Sequence, residues 1–162
     1  MPPRLTGLAR RSARRLPMES LQDAMISVAT GLAGDFKGAK HKTRQITILA
    51  EEDWQSALAA LTDEEASLPW TVRRANLLTH GLRLPRVKGA ILAIGAVRLE
   101  VTGQTHPCRR MDEAFPGLLK ALAPDWRGGV TCRVQTGGEI RLGDTVSILS
   151  SPPEPPKRIL PG

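Results

Sequence analysis

At 162 residues the chain has the length of one ordinary domain, and its 41% hydrophobic content is enough to bury a core without staples. Aromatic residues make up only 3%, with no Tyr, so that core has to be built from Leu, Ile, Val and Ala. The net charge of +7 points to anionic partners, two cysteines exclude a disulfide framework, and no run of about 18 apolar residues offers a membrane-spanning helix.

The first eighteen residues carry Arg4, Arg10, Arg11, Arg14 and Arg15 with no acid before Glu19, a pattern that mimics a mitochondrial presequence. Pro2, Pro3 and Pro17 would interrupt a targeting helix, so the preferred reading is an opening strand, Leu5 to Ala9, followed by a basic hairpin or loop. No apolar core of a secretory signal is present, and the expected location is the cytoplasm. Residues 1–19 are taken as this basic lead-in, 20–149 as the domain proper and 150–162 as a proline-rich tail, extended or disordered.

Residues 24–30, AMISVAT, read as a strand that stops at Gly31. The following GLAGDFKGAKHK, with three glycines and alternating charges, reads as a loop too polar and flexible for the core. QITIL (45–49) is a second strand, rich in β-branched residues. A helix follows, with Trp54, Leu58 and Leu61 on one face and Glu51, Glu52 and Asp53 at its positive N-terminal end; its stop is expected between Thr62 and Pro69.

The second half is more plainly β. In 97–102, Val97, Leu99 and Val101 alternate with polar residues, the period-two pattern of a half-buried strand. A short helix is expected from Pro116, carrying Leu118, Leu119 and Leu122. Val130, Cys132 and Val134 alternate next, and Gly137-Gly138 turn into Ile140 and Leu142 as the expected partner strand. Gly143-Asp144 turn again into Val146 and Ile148. Many short strands with two minor helices predict a mainly β fold, a closed or nearly closed barrel. The lack of regular strand–helix alternation argues against a parallel α/β sheet.

The two cysteines differ. Cys132 is in phase with Val130 and Val134 and reads as a small inward-facing hydrophobe. Cys108 lies in GQTHPCRRMD, after an amphipathic strand has ended, with His106, Arg109 and Arg110 around it and Pro107 fixing the backbone ahead. Such charge favours the thiolate and is expected to draw the pKa from about 8.5 toward neutrality, giving a nucleophile and soft metal ligand. An incidental loop cysteine satisfies the same local features. Arg73 and Arg74 likewise read equally well as a solvated basic pair, and Asn76 as a residue stabilising a turn.

The order of five motifs adds to this: GLAGDFKG (31–38), RQITIL (44–49), RRANLL (73–78), IGAVRLEVTGQTHPC (94–108) and GGVTCRVQTGGEIRLGDTV (128–146). Together they resemble the MOSC domain, found at the C-terminus of molybdenum-cofactor sulfurases and as stand-alone bacterial proteins, over residues 20–149. The resemblance implies a β-barrel like that of pyruvate kinase, in which Cys108 carries a persulfide or ligates molybdenum. It implies cofactor contacts from Arg74 and Asn76, which match the family's RxN element with Ala75 where proline often stands. Thr105, ahead of the cysteine, would contact the pterin, and Lys37, Lys42 and Arg44 would border the site.

The cofactor so implied is molybdopterin-bound molybdenum, a small anionic group suited to arginine. Pyridoxal phosphate enters by family association only, with no lysine in a recognisable Schiff-base setting. The partner implied is a cysteine desulfurase-like sulfur donor or a redox protein. The functions implied are sulfur carriage for cofactor sulfuration or metal–sulfur cluster assembly. An alternative is a molybdenum-dependent reductase component acting on N-hydroxylated compounds, which would need an external electron donor because the chain has no Fe–S motif. A basic nucleic-acid-binding module is disfavoured, since few of the two Phe and three Trp stand beside basic runs.

Overall fold

The computed structural model describes residues 2–38, 40–61 and 68–155. Its strands in chain order begin with β1 (Arg4–Arg10), β2 (Glu19–Ser20), β3 (Asp23–Ser27), β4 (Gly31–Leu32) and β5 (Ile46–Ala50). After helix α1 (Glu51–Ala59) come β6 (Leu77–His80), β7 (Ile91–Ile94) and β8 (Val97–Gln104). Helices α2 (Arg110–Ala114) and α3 (Leu118–Leu122) then precede β9 (Val130–Thr136), β10 (Gly138–Arg141) and β11 (Val146–Ser150). The fold is mainly β, as the short alternating segments predict.

The large sheet runs β11-β7-β8-β9-β5-β6-β1-β2, and a small one runs β10-β3-β4. The large sheet curls until its two ends meet. Arg4 bridges Thr145, and Leu5 N donates to Asp144 O (2.8 Å) while Gly143 N donates back to Leu5 O (2.8 Å). This seam makes β1 an integral stave, and its Leu5 and Leu8 are fully buried. The Arg-rich stretch after it turns back as a hairpin, with Ala9 opposite Ser20 in β2.

Two apolar layers follow from the period-two alternation. Ile46, Ile48, Leu99, Val101, Val130, Cys132 and Val134 point into the barrel. On the opposite face of β5, Leu49 joins Trp54, Met111, Leu118 and Leu122 in a second cluster beneath the three helices. Thr47 and Thr131, one step out of phase with the inner residues, therefore face outward beside the helical layer.

Several details differ from the alternation reading. β10 pairs with β3 (Ile140 opposite Ala24) instead of returning along β9, whose neighbours are β5 and β8. A Cβ on Gly137 would stand 2.4 Å from Ile26 O, so the bare backbone there lets the chain cross to the small sheet. One strand pair, β5 with β6, is parallel, with helix α1 as the crossover that a parallel connection requires. Gly31 and Leu32, placed in a loop by composition, pair with β3, and Leu32 is wholly buried. Helix α1 ends at Ala59 with Trp54 and Ala57 buried; the expected stop overlaps 62–67, outside the described residues, as does the tail from 156. The described part of the tail is exposed, and its Glu154 accepts both Arg83 Nη1 contacts, at 2.7 and 2.9 Å.

Asn76 ties the parallel pair to the seam strand. Its Oδ1 accepts from Thr47 N (3.0 Å) and Thr47 Oγ1 (3.1 Å), and its Nδ2 donates to Ala9 O (3.3 Å). The residue is buried, so truncation strands those partners without water. Asn76→Ala is expected to lower stability by about 1–3 kcal/mol in urea unfolding with the slope unchanged. An unchanged midpoint would remove Asn76 from the tie.

Candidate functional site

Cys108 is built into position by the end of β8 and the start of α2. Arg73, in the 3-10 turn Trp70–Arg73, is only 6% exposed. Its Nε donates to Gly128 O (3.1 Å) and its Nη2 to Thr105 O (2.8 Å), fastening the exit of β8 to the corner that enters β9. Gly128 is required at that corner, because a Cβ there would lie 2.5 Å from Thr105 O. Thr105 N donates to Gly129 O (2.8 Å), which holds the exit from the other side. Three residues later Cys108 O accepts from Met111 N (2.9 Å) as α2 begins, and the thiol-bearing residue is left exposed.

The thiol faces a hollow of about 610 Å³ on the outer surface of β5 and β9, floored by Thr47 and Thr131. Arg11, Arg14, Lys37, Lys40, Arg44, Arg73, Arg74 and Arg110 line it together with His41 and His106, and none of the described lining residues is acidic. The loop after β4 reaches this wall because Asp35 accepts from Arg11 N (3.2 Å) and Lys37 N (3.3 Å). Gly34, at φ 80°, lies against the Arg10 guanidinium, where a Cβ would come within 2.7 Å of Nη1. Lys40 Nζ stands 4.1 Å from the Phe36 ring centroid, a cation–π contact that fixes the outer lip.

The crowding of like charge leaves a signature. Burial lowers the Lys37 ammonium below its ordinary value of 10.5, and Arg11, Arg44 and Arg73 push the same way against Asp35. Burial and then Arg74 lower Arg11 likewise. Arg73 is lowered by burial to about 10, with Cys108 nearby opposing the shift, so it stays charged at neutral pH. Two polar atoms on lining residues, Arg11 Nη1 and Thr105 Oγ1, are buried without a hydrogen-bond partner. A pocket of uncompensated cations with unspent donors is chemically suited to an anion.

Of the residues picked from sequence, Lys37, Arg44, Arg74, Thr105 and Cys108 meet in this pocket. Lys42 and Asn76 are not among its lining residues; Asn76 lies one layer below, holding Thr47. Arg73 is a buried clamp, not a solvated partner of Arg74. Arg11, Arg14, Lys40 and Arg110 also line the wall. Their only sequence signals were the basic lead-in for Arg11 and Arg14, the charged loop 31–42 for Lys40 and the charge beside Cys108 for Arg110. Cys132 behaves as expected: it is buried in the barrel, and that burial pushes its thiol well above the ordinary range. Among the described residues no three His, Cys, Asp or Glu side chains gather to hold a metal ion.

Residues 34–147 match the model of the MOSC domain. The chain belongs to the MOSC domain family. No curated protein matches it by sequence. In fold, the MOSC chain is similar to the YuaD protein of Bacillus subtilis, with a TM-score of 0.75 at 15% identity, over 90% of this chain and 94% of that one. It is similar also to YiiM of Escherichia coli, with a TM-score of 0.68 at 16% identity, over 93% of this chain and 72% of the other. For YiiM of Geobacillus stearothermophilus the TM-score is 0.72 at 15% identity, over 92% and 76% of the two chains. Cys108 and most of the pocket fall inside the matched MOSC segment, whereas Arg11 and Arg14 reach it from the segment that follows β1.

Two outcomes are expected at this site. A thiol reagent applied to the folded protein should label one cysteine, Cys108, and reach Cys132 only after unfolding; two fast thiols would contradict the buried position. Lys37→Met should raise the thermal midpoint of the ligand-free protein at neutral pH. The folded value of Lys37 lies below 10.5, so the unfolded chain holds that proton more tightly. The penalty is complete below the folded value and fades as pH rises toward 10.5, and the advantage of the variant should shrink over that interval. A variant less stable at every pH would show that the crowding has no cost.

Proposed function

We propose that this MOSC protein binds the anionic molybdenum cofactor in the basic pocket and handles one sulfur atom at Cys108, as a persulfide carrier or as a ligand to the metal. The observation that carries the reading is one exposed thiol on the wall of a hollow lined by eight Arg and Lys side chains and no described acid. The orphaned Arg11 Nη1 and Thr105 Oγ1 fit a group rich in acceptor oxygens. Lys37, Arg44, Arg74 and Arg110 would hold its phosphate, with arginine suited to bidentate contact. When bound, the group supplies a redox-active, sulfur-seeking metal centre.

The residues of the chain supply the rest. Cys108 reacts as its thiolate, and the basic residues lining the hollow set that sulfur in a positive field. In sulfur loading, that thiolate attacks the terminal sulfur of a donor persulfide such as a cysteine desulfurase carries. The S–S bond of the donor breaks, its cysteine leaves as thiolate, and a new S–S bond forms on Cys108 with no net oxidation. Arg73 acts as a positioning residue, since it holds the strand exit from which the thiol is hung.

The test compares the parent protein with Cys108→Ala, measuring cyanolysable sulfur, a mass increase of one sulfur atom, and bound molybdenum in freshly purified material. The parent should carry sulfur or metal and the variant should lose it. Equal levels of both in the two proteins would reject the role of Cys108. Inorganic phosphate should in addition protect the parent against heating, less so as salt rises.

A further inference from the structure

Beside the Cys108 pocket lies a second hollow of about 690 Å³, an open groove between the hairpin loop 15–18, the turn at 71–74 and helix α2. The two hollows share Arg74, Arg110 and Met111, so a body lying in the groove reaches the rim of the thiol pocket. The chemistry of the groove is mixed. Leu16, Val72 and Met111 give it an apolar floor, with Leu16 45% exposed. Arg15, Arg74, Arg109 and Arg110 stand around that floor, with Glu113 the one acid among the described lining residues.

Two of the four non-glycine residues with positive φ among those described line the groove. Arg15 (φ 68°) and Arg74 (φ 64°) both adopt the left-handed conformation that disfavours a residue with a Cβ. Gly or Asn fits such positions at lower cost, yet at both the chain keeps a guanidinium, and both guanidinium-bearing residues line this groove. Strain of this kind concentrates at binding sites.

We propose that the groove docks an acidic segment of a partner protein bearing one or two apolar side chains, and so brings that partner to Cys108. The purpose of the docking rests on the sulfur-handling reading above, but the binding does not. Charge complementarity selects the acidic partner: four arginines face one glutamate. The open form selects a polypeptide over a small molecule, because half of the lining residues, Arg15, Leu16, Pro17 and Arg109 among them, are exposed and could not enclose a compact ligand. Nucleic acid is disfavoured because no aromatic residue among those described lines the groove to stack a base.

The experiment follows, by fluorescence anisotropy at low salt, the binding of a short labelled peptide of alternating Glu and Leu to the full chain. A peptide with Ser in place of each Leu and an oligo-uridine RNA serve as competitors. The Glu/Leu peptide should bind saturably, and the Ser peptide about tenfold more weakly. The double variant Arg15→Glu, Leu16→Asp, in an exposed loop, should weaken binding by about tenfold or more, and Arg109→Glu should weaken it by itself. Absence of saturable binding, equal binding of the Ser peptide, indifference to both variants, or preference for the RNA would each overturn the docking site. Cys108→Ala should bind the peptide as the parent does. A protein that docks the peptide but carries no sulfur or metal refutes only the function of Cys108; one that carries sulfur but ignores the peptide refutes only the groove.

Discussion

A buried guanidinium joins the exit of β8 to the glycine corner before β9, and the placing of the Cys108 segment follows from that join. Arg73 donates to Thr105 O and Gly128 O, and there is room for both bonds because Gly128 has no side chain in the way. The strand end so fixed carries Thr105, His106 and Cys108 in turn to the edge of the outer face of the sheet. A charged group shielded from water in this way is costly unless its donors are used, and two of them are. The fold thus holds the first of its many pocket cations by hydrogen bonds to main chain, which leaves the charge itself unneutralised.

That residual charge is the common thread of the pocket. Asp35 shapes the loop through main-chain bonds to Arg11 and Lys37, yet it does not line the hollow, so the carboxylate nearest the cations serves geometry more than neutralisation. Burial first, and repulsion from neighbouring cations after it, lowers the affinities of Arg11 and Lys37 for their protons. Stability and binding are therefore opposed here: what repels in the free protein attracts once an anion is present.

Legibility from sequence tracked how local each signal was. Burial alternates along Val97–Thr102 as the residue types do, and the inward turn of Cys132 was readable from its phase with Val130 and Val134; the exposure of Cys108 was readable from its place beyond the end of a strand. β7 escaped because Ile91–Ile94 is a short continuous apolar run, which periodicity cannot tell from a piece of helix. The partner of β10 escaped because a glycine pair marks a turn without saying which strand waits beyond it. At the site, Lys37, Arg44, Arg74 and Thr105 were found through motif order. Arg11 and Arg14 were not, since they follow a strand far away in sequence whose basic surroundings look like a leader until β1 is seen paired with β6. Asn76, named from the motif as a cofactor contact, lies one layer below the lining residues and braces neighbouring strands.

The seam that joins Arg4 to Thr145 has a kinetic meaning. Contacts between positions so far apart close the longest loop the domain contains, and such closure is entropically slow. During synthesis the first stave must wait, with Leu5 and Leu8 uncovered, until nearly the whole domain has left the ribosome. Once the seam is made, the two strand ends lie side by side, so the polypeptide could be opened at an exposed loop elsewhere and rejoined across the seam with the same barrel retained.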